Sequence, residues 1–242
     1  MALPAAAEAR RLPLPRVQVD PIIILALATG VILAFLALYP TAMLFYGSVS
    51  DAPLGVRGRL TLVNYITAYA DPATYRLIGS SFAFAAGAAA LSILLATTLA
   101  WITIRTDAPG RGLFELVALV PNVLPSLLIS TSWALLLSPR IGLLNVVVMR
   151  NLGLPPFNVY SMPGMIFVEG LILTPLAFLF VAAALRSMDP ALEESARIAG
   201  SPTLQVARRI TARLILPALL AAGMLNFVRA IESFDTPAIL AL

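Results

Sequence analysis

Hydrophobic positions in this chain come in long unbroken runs, not in alternation. Five runs stand out, at about 22–46, 77–104, 113–137, 163–185 and 214–231; polar or Pro/Gly-rich segments separate them at 47–76, 105–112, 138–162 and 186–213. Each run is near or above the roughly 20 apolar residues that a helix needs to cross a bilayer core. A barrel of membrane strands would instead show segments of about ten residues that alternate in polarity. The pattern predicts an all-α polytopic membrane protein, a bundle of about five transmembrane helices. Composition agrees: 60% of the 242 residues are hydrophobic, 12% are charged, and mean hydropathy is +0.94. A soluble domain has about 45–50% and about 25%.

Several runs carry residues that a plain lipid-facing helix does not need. The second is crowded with small side chains, among them Ala83, Ala86, Gly87, Ala90 and Ser92, which let helix backbones approach closely. The third contains Val120-Pro121-Asn122-Val123-Leu124-Pro125. Prolines remove backbone donors and kink or break a helix, and within a bilayer the freed carbonyls need protein or a water-filled cavity. Asn122 and Ser126 are therefore candidates to line a translocation path. Glu169 is an ionisable group inside the fourth run and a third path candidate. It stands about seven residues from Met162, close enough to the end of the run to reach the interface. Asn226, Arg229 and Glu232 recur at i, i+3 and i+6 of the fifth run. Such a stripe should face protein or water, and Asn226 is the fourth path candidate.

Charge sets orientation and removes function classes. All 16 basic residues are Arg, against 12 acids, for a net charge of +4. They do not form clusters interleaved with aromatics, so nucleic acid is not an expected partner, whereas membrane lipid is. With the N-terminus inside, the tail, the 105–112 turn and the 186–213 loop carry three, two and five Arg, while the opposite side carries five. The positive-inside rule then makes 186–213 cytoplasmic. Residues 1–20 read as a disordered cytoplasmic tail. A signal peptide has an apolar region of only about 7–15 residues, so the run at 22–46 reads as an uncleaved span within a 21–57 segment. There is no Cys and no His, which excludes disulfides, thiol catalysis, His-ligated zinc and Ser-His-Asp triads. No phosphate-binding Gly-x4-Gly-Lys-Ser/Thr loop is present. The chain is not expected to be an enzyme or to hold a cofactor.

The polar segment 189–217, DPALEESARIAGSPTLQVARRITARLILP, is built differently from an ordinary loop. Asp189 and Pro190 suit an N-cap and a first helical position. Glu193 and Glu194 fall in the first turns, where the helix dipole favours negative charge, and Arg197 follows them at i+4 and i+3. Gly200 supplies a left-handed stop. Ser201-Pro202 restarts a helix whose apolar stripe would be Leu204, Ala207, Ile210 and Leu214. The spacing predicts two short helices around a glycine corner, leading into the last run.

At Glu194-Ser195-Ala196, Gly200 and Ile210 the chain resembles the permease subunits of binding-protein-dependent ABC importers of type I. Their hallmark is a Glu-Ala-Ala triplet, a Gly six residues after its Glu, and a downstream Ile-x-Leu-Pro. Ser195 replaces the middle Ala, and Ala212-Arg213 stand where Leu-Pro is usual. Leu62-Val63-Asn64-Tyr65, Gly142-Leu143-Leu144-Asn145, Pro155 to Ser161 and Leu185 to Pro190 resemble the ferric-iron, polyamine and aminoethylphosphonate branch.

The resemblance covers roughly 58–242 and implies a MetI-like helical bundle in a bacterial inner membrane. It implies that Asp189, Glu193, Glu194, Ser195, Ala196, Arg197, Gly200 and Ile210 couple the chain to a cytoplasmic ABC ATPase dimer. A periplasmic or lipoprotein solute-binding protein and a second permease half or subunit would complete the machine. The family module commonly continues through a sixth span, so the resemblance also implies a chain incomplete at its C-terminus, as the first half of a fused permease. The alternative, a secondary transporter or channel, does not require a Gly-cornered loop. An intramembrane enzyme lacks its His or paired acids. No residue distinguishes iron from polyamine, phosphonate or thiamine.

Overall fold

The computed structural model describes residues 21–52, 56 and 58–241. The expected 1–20 tail, and Arg57 at the close of the 21–57 segment, lie outside the described residues. The chain divides after Thr74 into two compact units.

In the first unit, α1 (Pro21–Ser48) continues through Pro40 for 28 residues. At 1.5 Å per residue it is about 42 Å long, enough to cross a hydrocarbon core of about 30 Å. None of its residues is buried within the structure. The turn after it is fastened by Asn64 of α2 (Val63–Ala70), whose amide donates to the carbonyls of Ser48 at 3.2 Å and Ser50 at 2.8 Å. One asparagine thereby satisfies backbone acceptors that a helix end leaves open.

The second unit is organised around α3 (Pro72–Arg105), α6 (Met162–Ser187) and α9 (Ala212–Glu232). Its core is made of small side chains from α3 (Ala96 and Ala100) set against Ala177, Val181 and Leu185 of α6 and Ile215 and Ala222 of α9. Of the small residues named for the second run, Gly87 and Ser92 face inward, whereas Ala83, Ala86 and Ala90 are exposed. The buried seam runs instead through Ala85, Ala88, Ser92, Ala96 and Ala100. On a helix with small residues on every side, the neighbours choose the buried face.

Two glycines fix the α3–α6 approach. A Cβ on Gly87 would lie 2.7 Å from Ile166, and one on Gly170 would lie 2.8 Å from Leu91. Each helix thus offers a bare patch to a branched side chain of the other. Gly170→Val should force the helices apart and cost about 1–3 kcal/mol, the usual size of an overpacking penalty. Thermal unfolding of the purified protein in detergent measures this, and an unchanged midpoint would refute close packing at that point.

The third run forms no straight span. It divides into α4 (Arg111–Leu119), a 3-10 turn at Val120–Asn122, and α5 (Ser126–Leu136), and the two arms are bent by 108°. Pro125 lacks an N–H and steers the residue before it away from helical dihedrals, so the chain must restart after the proline. Among the described residues, four helices are long and apolar enough to cross a membrane, or five if the bent pair forms one span. Between α5 and α6 the chain is knotted by Asn145, whose amide donates to Leu137 and Phe157 carbonyls at 2.8 and 2.9 Å and whose Oδ1 accepts from Phe157 N–H at 2.8 Å.

Candidate functional site

The two ends of α6 carry the residues of interest. After its C-terminal end the chain turns at Asp189, whose Oδ1 accepts from the N–H of Ala191 at 2.9 Å. This is the capping role read from the sequence. The helix itself, α7 (Ala191–Ile198), begins one residue later than expected. Gly200 closes it with φ +86°. The N–H of Ser201 donates to Ala196 O at 3.0 Å and that of Gly200 to Arg197 O at 2.9 Å, the paired bonds of a Schellman stop.

Glu193 is not part of the exposed face. Its side chain is 8% exposed, it accepts from Thr211 Oγ1 at 2.5 Å, and its Oε1 lies 3.4 Å from Nε of Arg105. Glu194, Ser195, Arg197 and Gly200 are exposed, and Ala196 and Ile210 are half-buried. Arg197 makes no ion pair with either glutamate among the described residues, because Glu193 has turned the opposite way. Arg105 was legible only as a basic residue at a span end. Its partner is 88 positions downstream, and no local pattern could have paired them.

The second short helix also departs from its expected register. Leu204, the first residue of the anticipated stripe, is 81% exposed. The buried positions are Val206, Thr211 and Ile215. The cause is a π-helical turn at Ala207–Thr211, between α8 (Thr203–Val206) and α9. Its wider winding brings residues five apart onto one face. The outcome is a groove of about 580 Å³ between α7 and the 209–214 stretch, lined by Leu192, Ser195, Ala196, Arg209, Ile210 and Arg213, among others.

At the other end of α6, Glu169 is 3% exposed. Hydroxyls hold it inside the structure. Its Oε2 accepts from Thr236 at 2.6 Å and from Ser233 at 3.1 Å. These donors come from α10 (Asp235–Leu240) and the turn before it. Ser130 stands 3.1 Å from the Thr236 hydroxyl. Thr236 has one proton and gives it to Glu169, so Ser130 must be the donor to Thr236. Ser126 of α5 donates to Asp235. Ser126, Glu169, Arg229, Glu232 and Asp235 border an open cavity of about 320 Å³.

The structure brings together only two of the four path candidates, Ser126 and Glu169. Asn122 lies exposed in the 3-10 turn and borders no cavity described here. Asn226 is fully buried, donating to Ser92 Oγ at 2.8 Å and Leu173 O at 3.1 Å. It stitches α9 to α3 and α6, while Arg229 and Glu232 of the same stripe reach the cavity. Asp235, Thr236, Ser130 and Ser233 were missed as a group; the one sequence signal for three of them was the density of polar residues in the Glu232-to-Thr236 stretch, and Ser130 had none.

Long apolar helices, with a glycine-cornered helix pair following α6, are the architecture of a polytopic membrane protein. The chain belongs to the family described as binding-protein-dependent transport system inner membrane component, whose model matches residues 92–242. A Salmonella typhimurium protein, assigned as permease of a 2-aminoethylphosphonate transport system, is 29% identical over 223 residues, covering 91% of this chain and 76% of its own. The trehalose/maltose transport system permease protein MalF of Thermococcus litoralis is 29% identical over 131 residues, 52% of this chain and 44% of its own. Among solved structures, a bacterial ABC transporter for import of the acidic polysaccharide alginate aligns with TM-score 0.72 and 17% identity, over 91% of this chain and 77% of that one. The bundle is thus a permease fold, and the chain is a permease component of a binding-protein-dependent ABC importer.

Proposed function

We propose that this chain forms part of the solute path of an ATP-driven importer and is coupled to a cytoplasmic ABC ATPase dimer through residues 189–200. The observation that carries the reading is the α7 corner. Asp189 caps it, Gly200 stops it with a left-handed turn, and Glu194, Ser195 and Arg197 stand exposed on a helix anchored from beneath. The corner also lies inside the matched family region. The Arg asymmetry supports an inward N-terminus and a cytoplasmic α7. A solute-binding protein would then act at the α10 end, and a second permease half would cover the remaining apolar surface beside lipid. ATP binding can drive transport only if the docked ATPase differs in affinity between two pore conformations.

Vesicle uptake tests the reading. The complete importer, reconstituted with its ATPase and binding protein, should take up solute only when ATP is enclosed on the α7 side. The first solutes to try are those for which its relatives are named, 2-aminoethylphosphonate and trehalose/maltose. Uptake driven by an ion gradient with the ATPase omitted would replace this reading by secondary transport.

A further inference from the structure

We infer that Arg105, Glu193 and Thr211 form an internal tie that carries movement of α7 into α3 and α9, which makes Glu193 a positioning residue and not a docking contact. The inference rests on the proposed coupling role of the corner.

The geometry is specific. Arg105 is the last residue of α3, and its side chain is 11% exposed. Its Nη2 donates to Leu185 O, near the C-terminal end of α6, at 3.0 Å. Its Nε lies 3.4 Å from Glu193 Oε1, and that same oxygen accepts from Thr211 at 2.5 Å. Three segments therefore meet at one carboxylate, α3, α7 and the π-helical turn leading into α9, and the end of α6 joins them through Arg105. The neighbouring Glu194, one residue along, is exposed. Two adjacent acids of one motif thus have opposite duties, one facing outward and one gripping the bundle.

Glu193 is thus held by the charge of Arg105 and by the Thr211 hydroxyl, while Arg105 is fixed from its other end by Leu185 O.

The experiment uses spin labels on introduced cysteine pairs, with any partner-subunit cysteines replaced, since this sequence has none of its own. Cysteines at Asp107, in the turn after α3, and at Ile198, which is 88% exposed on α7, report the separation of the two elements. In the assembled importer, a non-hydrolysable ATP analogue should leave this distance unchanged, since the tie moves both labels together. With E193Q the analogue should shift or broaden the distance while the ATPase still co-purifies. The double variant E193Q/R105Q strands no buried charge; it also gives up the bond to Leu185 O, but its α3–α7 distance should change as in E193Q, because both substitutions cut the same link between those helices. ATP-driven uptake should fall on the order of tenfold, the size of a typical coupling between linked sites.

An unchanged distance and uptake in E193Q would overturn the tie. So would additive effects of the two substitutions. Loss of the ATPase from E193Q, with Gly200 and Glu194 variants also losing it, would make Glu193 a docking contact and leave the docking face standing. Retention of the ATPase by the Gly200 and Glu194 variants would overturn the docking face and the tie with it.

Discussion

Gly200→Val should strip the ATPase from the permease while leaving the permease in the membrane. The reason is local. Gly200 has φ +86°, and a Cβ there would meet nothing within 4 Å, so the penalty comes from the backbone and not from a clash. A left-handed conformation costs an ordinary L-residue about 1–2 kcal/mol, and a β-branched one more. Escaping that cost means unwinding the Schellman stop and re-aiming α7. If docking requires the present geometry, affinity should fall roughly five- to thirty-fold. Gly200→Asn should keep most of the interaction, because Asn tolerates the left-handed region. Glu194→Arg should also release the ATPase, by reversing an exposed charge without touching the fold. Co-purification at wild-type yield in both Gly200→Val and Glu194→Arg would refute the docking assignment.

The second large effect is expected at Glu169. Replacing it with Leu would leave the Ser233 and Thr236 hydroxyls without their acceptor, at about 1–3 kcal/mol for the buried Thr236 donor and less for Ser233, which borders the open cavity. The directed chain Ser130→Thr236→Glu169 would lose its terminus, and α10 would lose its hold on α6. Glu169→Gln keeps a carbonyl oxygen in the same place and should stay close to wild type. Thermal unfolding in detergent separates the two variants, and protease sensitivity at the exposed Phe234 reports release of α10. A Leu variant as stable as the native protein would show that the network does not hold the helix.

These two sites also mark where local pattern ceases to be informative. The apolar runs at 22–46, 77–104, 163–185 and 214–231 correspond to helices at 21–48, 72–105, 162–187 and 212–232. Such runs are legible because lipid demands continuous apolar length. The proline pair in the third run announced a break, since the missing donors are a property of the residues themselves. The 108° bend was not legible, because an angle is set by what the two arms pack against. The Gly200 stop was readable for the same reason that a valine there is costly.

The partners of Glu193 and Glu169 were not legible. Dipole and spacing rules see neighbours within one or two turns, while their partners Arg105 and Thr236 arrive from distant segments of the chain. The Leu204 stripe failed on a different ground: a periodicity of 3.6 cannot anticipate a turn that holds an extra residue.

That extra residue has a bearing on how the chain tolerates a change of length. Val206, Thr211 and Ile215 share a buried face at intervals of five and four. Removing one residue between Val206 and Thr211 would make both intervals four, the natural repeat of a regular helix. The same three side chains would still point at the bundle, and Thr211 would still stand under Glu193. A variant shortened by one residue between Val206 and Thr211 should therefore keep its packing, since the wider turn is a local conformational accommodation and not a different fold.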